Sequence, residues 1–341
     1  MAVIHLVGWY GRGNCGDEAF KSVHRSLFPN DQLYWITEAS NLKEIPPADV
    51  VILGGGDVFL DYYIRLIPAD TPFFCYGVGL GSHEQREHVV RLKDRIPAIW
   101  LRNASDVAYL QSKGVAAFFT PDIVFQLREQ MLAARGSIRG DTPKRLGIIV
   151  SNNESQFATN TGDLRRFFYN QFLKLELAIA INEMTRYYKV ELIPFSDDKN
   201  DRDIIFAYEL ISASERGASF EIVGHGQDPM AIARLVAGYD VVVSMKFHGL
   251  VFAIAAGVPF INIGLTRKTQ LLCQENGLGH LSIAPFSLTV DRFREYMKVA
   301  ESAETRVLVN ERGAALSAEA AQAGAEFVAQ VERFLAGRAQ R

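Results

Sequence analysis

The residues best suited to chemistry lie in one short segment, Ser244–Gly249, whose sequence is SMKFHG. Lys246 and His248 follow the apolar run DVVV and precede an apolar, helix-like run. A strand that ends at Ser244 and a helix that opens at Gly249 would leave both side chains in the turn between them. An ammonium group, an imidazole and helix-terminal N–H groups at one point can bind an anion and transfer a proton. We therefore predict a catalytic role for His248 and Lys246 in preference to a capping or structural role.

A second segment with a chemical signature is Gly11–Gly16, GRGNCG. Its glycines have the G-x-G-x-x-G spacing of dinucleotide-binding folds. The segment follows the apolar run AVIHLV and precedes a helix-like run, and Glu38 ends the next apolar run. Each element of an NAD-binding pattern is therefore present.

Two features of the same segment disfavour NAD. Gly8–Tyr10 separate the strand from the first glycine of the pattern, and Asp17 and Glu18 place carboxylates at the positive end of the helix. Those charges would repel a pyrophosphate. Three interpretations stay open: an NAD site, a glycine-rich turn with acidic capping, and a ligand loop in which Asn14 and Gly16 donate hydrogen bonds.

Two further turns after predicted strands carry candidate residues. Gly55 and Gly56 belong to ILGGGDVFLD, where three glycines after a buried strand allow the backbone to approach a ligand closely. Arg102 ends the run IWLR, so it would face a ligand at the end of the strand or pair with a nearby carboxylate such as Asp106. In open α/β sheets ligands bind beyond the carboxyl ends of strands, which is why these turns are the places to search.

The elements that position these turns alternate along the whole chain. Short, continuously apolar runs are each followed by a polar or glycine-rich turn and a helical pattern, which is typical of parallel sheets covered on both faces. With 341 residues, the chain is long enough for two Rossmann-like domains facing a cleft. We predict domains at residues 1–140 and 141–315, joined near Arg135–Arg145, and an amphipathic terminal helix within residues 316–341.

Composition narrows the function classes. The net charge of −3 gives no indication of nucleic acid or of an anionic membrane surface as a partner. Three widely spaced cysteines argue against a disulfide framework and a zinc site and fit a reducing compartment. We expect no signal peptide at the N-terminus, and Gly249–Gly264 is too short and too broken to span a bilayer. The acidic run Ser196–Asp201 lacks the spacing of a calcium loop, so we predict a solvated loop and no bound metal.

The segments taken in order resemble the polysaccharide pyruvyl transferase family. The resemblance runs from about Gly8 to Lys268, and N-x-G-D-E early in the chain together with S-x-[RK]-x-H-G late in the chain makes it specific. It rests on six stretches: GRGNCGDEAF, GGGDVFL, GVGLG, LRNASDVAYL, TPDIVF and SMKFHGLVFAIAAGVPFI.

The resemblance implies a GT-B-like fold and transfer of the pyruvyl group of phosphoenolpyruvate to a sugar of a bacterial surface glycan or its precursor, giving a ketal. It favours the N-x-G-D-E loop over an NAD site. It also implies phosphoenolpyruvate as donor substrate with no further cofactor, a glycan or lipid-linked sugar as acceptor, and a cytoplasmic enzyme able to work at the inner face of the membrane. The implied donor- and anion-binding residues are Asn14, Gly16, Asp17, Gly55, Gly56, Arg102, Ser244, Gly249 and Lys268.

The chain departs from the family pattern at two positions. Lys246 stands where the family commonly has Arg, and Asn103 stands where it commonly has Asp. Lysine keeps the charge but loses the bidentate geometry of a guanidinium. Three other functions therefore stay open: a GT-B glycosyltransferase that uses a nucleotide sugar, a non-catalytic glycan-binding relative, and a dehydrogenase. For the glycosyltransferase, Glu275 is the candidate ribose ligand, but its spacing from the late motif is poor. The sequence predicts neither the acceptor sugar nor an oligomeric state.

Overall fold

The structure is a computed structural model that describes residues 1–133, 143–152, 158–198, 202–214, 219–226 and 228–339. The chain forms two compact units. Unit 1 contains Met1–Gly11, Asp17–Leu127 and Leu316–Arg341, and unit 2 contains Arg12–Gly16 and Arg128–Ala315. Both units are α/β, as the alternation of apolar runs and helical patterns predicts.

Unit 1 has a parallel sheet that, in the described residues, has six strands in the order β2-β1-β3-β4-β5-β6. Strands β3 and β4 are buried along their whole length, which explains their continuously apolar sequences. The strands are β1 Val3–Val7, β2 Gln32–Ile36, β3 Val50–Gly56, β4 Phe73–Val78, β5 Ile99–Leu101 and β6 Ala117–Phe119.

Helices follow the strands of unit 1. The side chain of Ser82 accepts a hydrogen bond from the Gln85 N–H at the start of α3, and Asn103 accepts one from the Ser105 N–H at the start of α4. The helices are α1 Cys15–Leu27, α2 Asp61–Ile64, α3 His83–Arg91 and α4 Ala104–Ser112.

A histidine lies in the core of unit 1. His24 of α1 is fully buried, and its ring packs edge-on against Tyr76 of β4 at 6.2 Å between centroids. Burial lowers the pKa of His24 to about 3, so the imidazole is neutral in the folded protein.

Unit 2 repeats the architecture. Its described strands form a parallel sheet in the order β12-β11-β10-β7-β8-β9. The strands are β7 Arg145–Val150, β8 Lys189–Pro194, β9 Phe220–Ile222, β10 Val241–Ser244, β11 Phe260–Ile263 and β12 Ser282–Ile283. The helices are α5 Arg128–Leu132, α6 Leu164–Met184, α7 Asp203–Ala213, α8 Pro229–Ala237, α9 Phe247–Ala255, α10 Arg267–Glu275 and α11 Val290–Glu301.

The chain ends in a long helix, α12, over Ala303–Ala339. It begins at Ala303, before the predicted amphipathic segment 316–341. Gly313, a weak helix former, lies inside it. A Cβ atom at Gly313 would lie 2.0 Å from the carbonyl oxygen of Ile254 on α9, so only glycine permits this close approach.

The predicted apolar face of the terminal helix is confirmed for its central residues. Ala320, Phe327 and Val331 are buried. Phe327 stacks on Tyr76 at 4.1 Å between ring centroids and also meets the edge of Trp100. The second half of α12 therefore completes the core of unit 1.

The fold class predicted from the sequence is confirmed in each unit, which has a parallel, Rossmann-like sheet. The cleft and the domain boundaries stay predictions, and most of the predicted linker, residues 135–142, lies outside the described residues. Across those described, no helix is long and apolar enough to cross a bilayer.

Candidate functional site

The carboxyl edge of the unit 2 sheet gathers most of the candidate residues. Strands β11, β10, β7 and β8 lie side by side in this order and are parallel, so the loops after them share one edge of the sheet. The loop after β10 carries Lys246, and His248 lies in the first turn of α9, which begins at Phe247, two residues earlier than predicted. The loop after β11 leads to Lys268. The segment Arg12–Gly16 also belongs to unit 2.

The turn after β10 is tightly held. The Ser244 hydroxyl accepts a hydrogen bond from the Lys246 N–H at 3.2 Å and donates one to the Lys246 carbonyl at 2.9 Å. Lys246 is extended and is the N-cap of α9. A Cβ atom at Gly249 would lie 2.3 Å from the Ser244 hydroxyl oxygen and 2.8 Å from Ile149, so the turn requires glycine there. Ser244 and Gly249 thus shape the turn that orients Lys246 and His248.

Lys246 forms a buried ion pair. Its Nζ lies 3.0 Å from Oδ2 of Asp203, the first residue of α7, which is fully buried. The same carboxylate accepts hydrogen bonds from the N–H groups of Asn152 after β7 and Phe195 after β8. Asp203 therefore joins the ends of three strands and fixes the position of the Lys246 ammonium group. Part of the lysine charge predicted to bind a ligand is balanced by this carboxylate.

His248 packs directly against the glycine-rich loop. A Cβ atom at Gly16 would lie 2.0 Å from Nδ1 and 2.2 Å from Cγ of the imidazole, so any side chain at this position would displace the ring. The two segments selected from the sequence are therefore brought together. The glycine at position 16 is needed to accommodate an imidazole, which is a different requirement from the close approach of a pyrophosphate.

The glycine-rich loop is attached to unit 2 by its backbone. The Cys15 N–H donates to the Phe195 carbonyl at 2.8 Å, and the Asp197 N–H donates to the Gly13 carbonyl at 3.0 Å. Asn14 forms an isolated antiparallel bridge with Ser196. These bonds hold the loop beside the strand end from which Asp203 is bound.

One hydrogen-bond donor predicted in this loop, the N–H of Gly16, has its partner within the loop. The Gly16 N–H donates to Oδ1 of Asn14 at 3.1 Å, at the start of α1. The acidic capping predicted as one interpretation is present too, because the Gly11 N–H donates to the Glu18 carboxylate.

Lys268 lies beside the same turn. Its Nζ is 5.7 Å from the centroid of the Phe247 ring, within the range of a cation–π contact, and the Phe247 ring meets the His248 ring edge-on at 5.3 Å. Unit 2 thus places two ammonium groups and an imidazole at the N-terminus of α9.

Gly55 and Gly56 lie at the carboxyl edge of the unit 1 sheet, and both have positive φ. A Cβ atom at Gly55 would lie 2.2 Å from the Phe20 ring, and one at Gly56 would lie 3.2 Å from Oδ1 of Asp17. The glycines allow α1 to pack closely on the end of β3. Both glycines are therefore required for internal packing, and the close approach of a ligand at this turn stays a prediction.

Arg102 ends β5 as predicted, but its partners differ from the expected one. Its guanidinium lies 2.5 Å from Asp57 and 2.9 Å from Asp122. The predicted alternative, Asp106, pairs with Arg86. Pairing with Asp106 is therefore wrong as a prediction, because partners from two other loops are closer.

The charged side chains that act on Arg102 are acidic. Burial alone would lower the pKa of Arg102, but the charges of Asp57 and Asp122, the Asp122 hydrogen bond and the charge of Asp17 raise it overall. Three carboxylates thus surround one guanidinium. The predicted role of Arg102 and Asp17 in anion binding stays a prediction.

Several residues of these edges were missed at the sequence level. Ser196 and Asp198 lie in the run predicted to be a solvated loop, yet both are buried, and so is Asp203, which follows the run. Asp197 between them is exposed, so the prediction is wrong for Ser196 and Asp198 only among the described residues. His225, which follows β9 in the sequence GHG, lies 3.1 Å from Asp197. A strand followed by Gly-His-Gly was the signal that could have identified it.

The described residues contain no group of three or more His, Cys, Asp or Glu side chains arranged to hold a metal ion. Asn103 caps α4, accepting hydrogen bonds from the N–H and the hydroxyl of Ser105. An aspartate at this position would also cap the helix, so the departure from the family pattern preserves the local structure.

A comparison with known protein families matches polysaccharide pyruvyl transferase over residues 11–266. The chain belongs to the polysaccharide pyruvyl transferase family. The matched range includes the glycine-rich loop, the Arg102 cluster and the turn with Lys246 and His248. This membership identifies a transferase. Among curated proteins, no significant match is found.

Solved structures support a GT-B-like fold for this family member. UDP-GlcNAc 2-epimerase from Neisseria meningitidis bound to UDP-GlcNAc has a TM-score of 0.59 at 11% identity, over 96% of this chain and 100% of that one. UDP-GlcNAc 2-epimerase from Methanocaldococcus jannaschii has a TM-score of 0.55 at 12% identity, over 89% and 94%. The wall teichoic acid polymerase TagF has a TM-score of 0.51 at 8% identity, over 100% and 90%.

Proposed function

We propose that this transferase moves the pyruvyl group of phosphoenolpyruvate to a sugar of a surface glycan or its precursor, forming a cyclic ketal. The observation that carries the proposal is the contact between Gly16 and His248. The family match includes both residues, and their backbone-to-ring packing places an imidazole in a turn with a lysine at a helix N-terminus.

The proposed reaction requires three proton transfers and the release of phosphate. A proton is added to the methylene carbon of phosphoenolpyruvate, the neighbouring carbon gains cationic character, and a first sugar hydroxyl adds to it and loses its proton. The carbon–oxygen bond to phosphate then breaks, and a second hydroxyl of the sugar adds and loses its proton. One of the two released protons balances the one taken up by the methylene carbon, the other leaves on the phosphate, and the products are the pyruvate ketal and inorganic hydrogen phosphate.

His248 is the proton carrier in this proposal. An imidazole can donate to the methylene carbon and accept from a hydroxyl, since its ordinary pKa is near neutrality. Gly16 fixes one face of the ring, and the turn closed by Ser244 fixes its backbone. These contacts hold the ring in one position in the folded protein.

The donor carries a carboxylate and a phosphate, which require compensation during the reaction. Lys246, Lys268 and the N–H groups that open α9 supply positive charge in one place. Asp203 neutralises part of the Lys246 charge but holds its Nζ in position. Phosphoenolpyruvate serves as the donor substrate, and the proposal invokes no further cofactor and no metal.

The acceptor is proposed to be a glycan or a lipid-linked sugar, as the reaction of the family implies. The phosphoenolpyruvate donor favours a cytoplasmic reaction, and a lipid-linked acceptor would bring it to the inner face of the membrane.

A nucleotide-sugar glycosyltransferase is the competing function, and the position of its candidate ribose ligand does not favour it. Glu275, the sequence candidate for a ribose ligand, is the last residue of α10. The carboxyl edge of the sheet lies at the start of α10, so the length of the helix, about 12 Å, separates Glu275 from the candidate site.

The test is phosphate release from phosphoenolpyruvate in the presence of a panel of acceptor sugars. His248→Ala should lower turnover by roughly 10²–10⁴-fold, and Lys246→Ala should weaken phosphoenolpyruvate binding in calorimetry by about ten- to a hundredfold. His280→Ala, an exposed histidine of the same unit, is the matched control and should match the wild type. Tight binding of a nucleotide sugar without binding of phosphoenolpyruvate would overturn the proposal.

A further inference from the structure

Helix α6 (Leu164–Met184) is apolar on two opposite sides. One side packs in the core of unit 2 through residues that include Leu173, Leu177 and Ile181. At 100° per residue, a second apolar stripe lies on the opposite side, within about 80° of the helix circumference. Its members, which are between 45% and 69% exposed, are Leu164, Phe168, Phe172, Leu175 and Ile179. We call these five residues the α6 stripe.

Two exposed aromatic residues widen the α6 stripe. Tyr169, on its flank, contacts Phe286 at 4.1 Å between ring centroids, and both rings are exposed. Together with the stripe they expose roughly 700 Å² of largely apolar side chain. The largest apolar patch of a typical monomer is about 300–600 Å², whereas a stable interface covers about 800 Å² on each partner. The area is therefore that of an interface between proteins.

The charges beside the α6 stripe are arranged in opposite signs along the helix. Arg165 lies in the first turn and Glu176 in the second half, and helical geometry places both on the same flank of the stripe. Asp163 and Arg166 add one charge of each sign near the N-terminus. The flank has no excess of positive charge, which an anionic lipid surface would require.

This charge pattern is complementary to itself in an antiparallel arrangement. Consider two copies of α6 that pack antiparallel about a two-fold axis near residue 171. The rotation keeps the same flank of both helices on the same side of the plane that contains the two helix axes. Arg165 of one copy then faces Glu176 of the other, and the symmetry repeats the pair. The same axis places the two apolar stripes against each other.

We propose that the α6 stripe is the interface of a homodimer in which two α6 helices pack antiparallel. The proposal stands apart from the proposed reaction, because it depends on area and charge and on none of the residues near His248.

The experiment is sedimentation of the purified full chain over a range of micromolar concentrations. The wild type should be dimeric. Phe172→Glu places a charge at the centre of the interface and should raise the dissociation constant about 100-fold or more. Val307→Glu, at an exposed apolar position of α12, is the matched control and should leave the dimer unchanged.

A charge exchange tests the symmetry itself. Arg165→Glu opposes two like charges across the axis and should weaken the dimer about tenfold. Adding Glu176→Arg to the same chain restores opposite signs and should recover the wild-type dissociation constant. A monomeric wild type, a dimer insensitive to Phe172→Glu, or a double exchange that fails to recover would overturn the proposal. So would a monomer that sediments with phosphatidylglycerol vesicles, since that result assigns the stripe to a membrane.

Discussion

Replacing Gly16 by alanine tests whether the glycine-rich loop positions the imidazole of His248, the proposed proton carrier. The added Cβ atom would lie 2.0 Å from His248 Nδ1, whereas carbon and nitrogen atoms in contact are about 3.5 Å apart. Relief of this overlap therefore requires a displacement of about 1.5 Å. A misplacement of about 1 Å can cost a reaction roughly 10²-fold in rate. We expect Gly16→Ala to lower turnover by at least that factor.

The same substitution should have a small effect on folding. Gly16 has no positive φ and lies in the first turn of α1, where alanine has the better helix propensity by about 1 kcal/mol. Overpacking against His248 offsets this gain with a cost of about 1–3 kcal/mol. The free energy of unfolding in urea should therefore change by no more than about 2 kcal/mol.

Two comparisons make this prediction specific. Gly11→Ala adds a methyl group in the same loop with no atom within 4 Å, at the cost of a positive φ, and should keep most of the activity. In a double-mutant cycle, Gly16→Ala should add almost nothing to His248→Ala, because both act on one group. Wild-type turnover in folded Gly16→Ala, or full additivity in the cycle, would refute the reasoning.

The remaining predictions concern buried charges and are read by urea unfolding. Asp203→Asn leaves the Lys246 ammonium without its carboxylate and should lower the free energy of unfolding by about 3 kcal/mol, with partial recovery when Lys246→Met is added. Arg102→Gln leaves the buried Asp122 carboxylate without its cation, whereas Asp57 is exposed and stays solvated; the change should lower the free energy of unfolding by about 3 kcal/mol, and a neutral result would contradict the Asp122 pair. The pKa of His24 falls from 6.5 in the unfolded chain to about 3 in the fold. The unfolded state therefore takes up a proton first, so stability is full above pH 6.5 and falls below it by up to about 1.4 kcal/mol per pH unit; His24→Leu should flatten this slope.

The local part of the candidate site was predictable from the sequence. Lys246 lies between β10 and α9, and His248 lies in the first turn of α9, so a few residues adjacent in the chain determine their positions. The parallel sheets were predictable as well, because each strand shows its burial in its own composition.

The longer-range part of the site was not predictable. Asp203 reaches Lys246 only because β7, β8 and β10 are neighbours in the sheet, and no local pattern records that order. Asp203 directly follows an acidic run, and a run of acidic residues favours a solvent-exposed loop when the sheet order is unknown. Arg102 was placed correctly at a strand end, but its partners come from loops after two other strands. The nearest carboxylate in sequence, Asp106, was engaged elsewhere.

Gly16 shows a different limit. The sequence suggested that this residue offers an N–H group to a ligand, and the structure uses that group to cap α1. The property that matters for His248 is the missing side chain, and its importance depends on a ring that enters the chain more than two hundred residues later.

The position of Phe327 has a consequence for the order in which the chain folds. Synthesis proceeds from the N-terminus, so all six strands of unit 1 leave the ribosome long before Phe327 does. Until α12 arrives, the Tyr76 and Trp100 surface that it covers has no native partner. We expect unit 1 to stay incomplete and prone to aggregation until α12 has been synthesised.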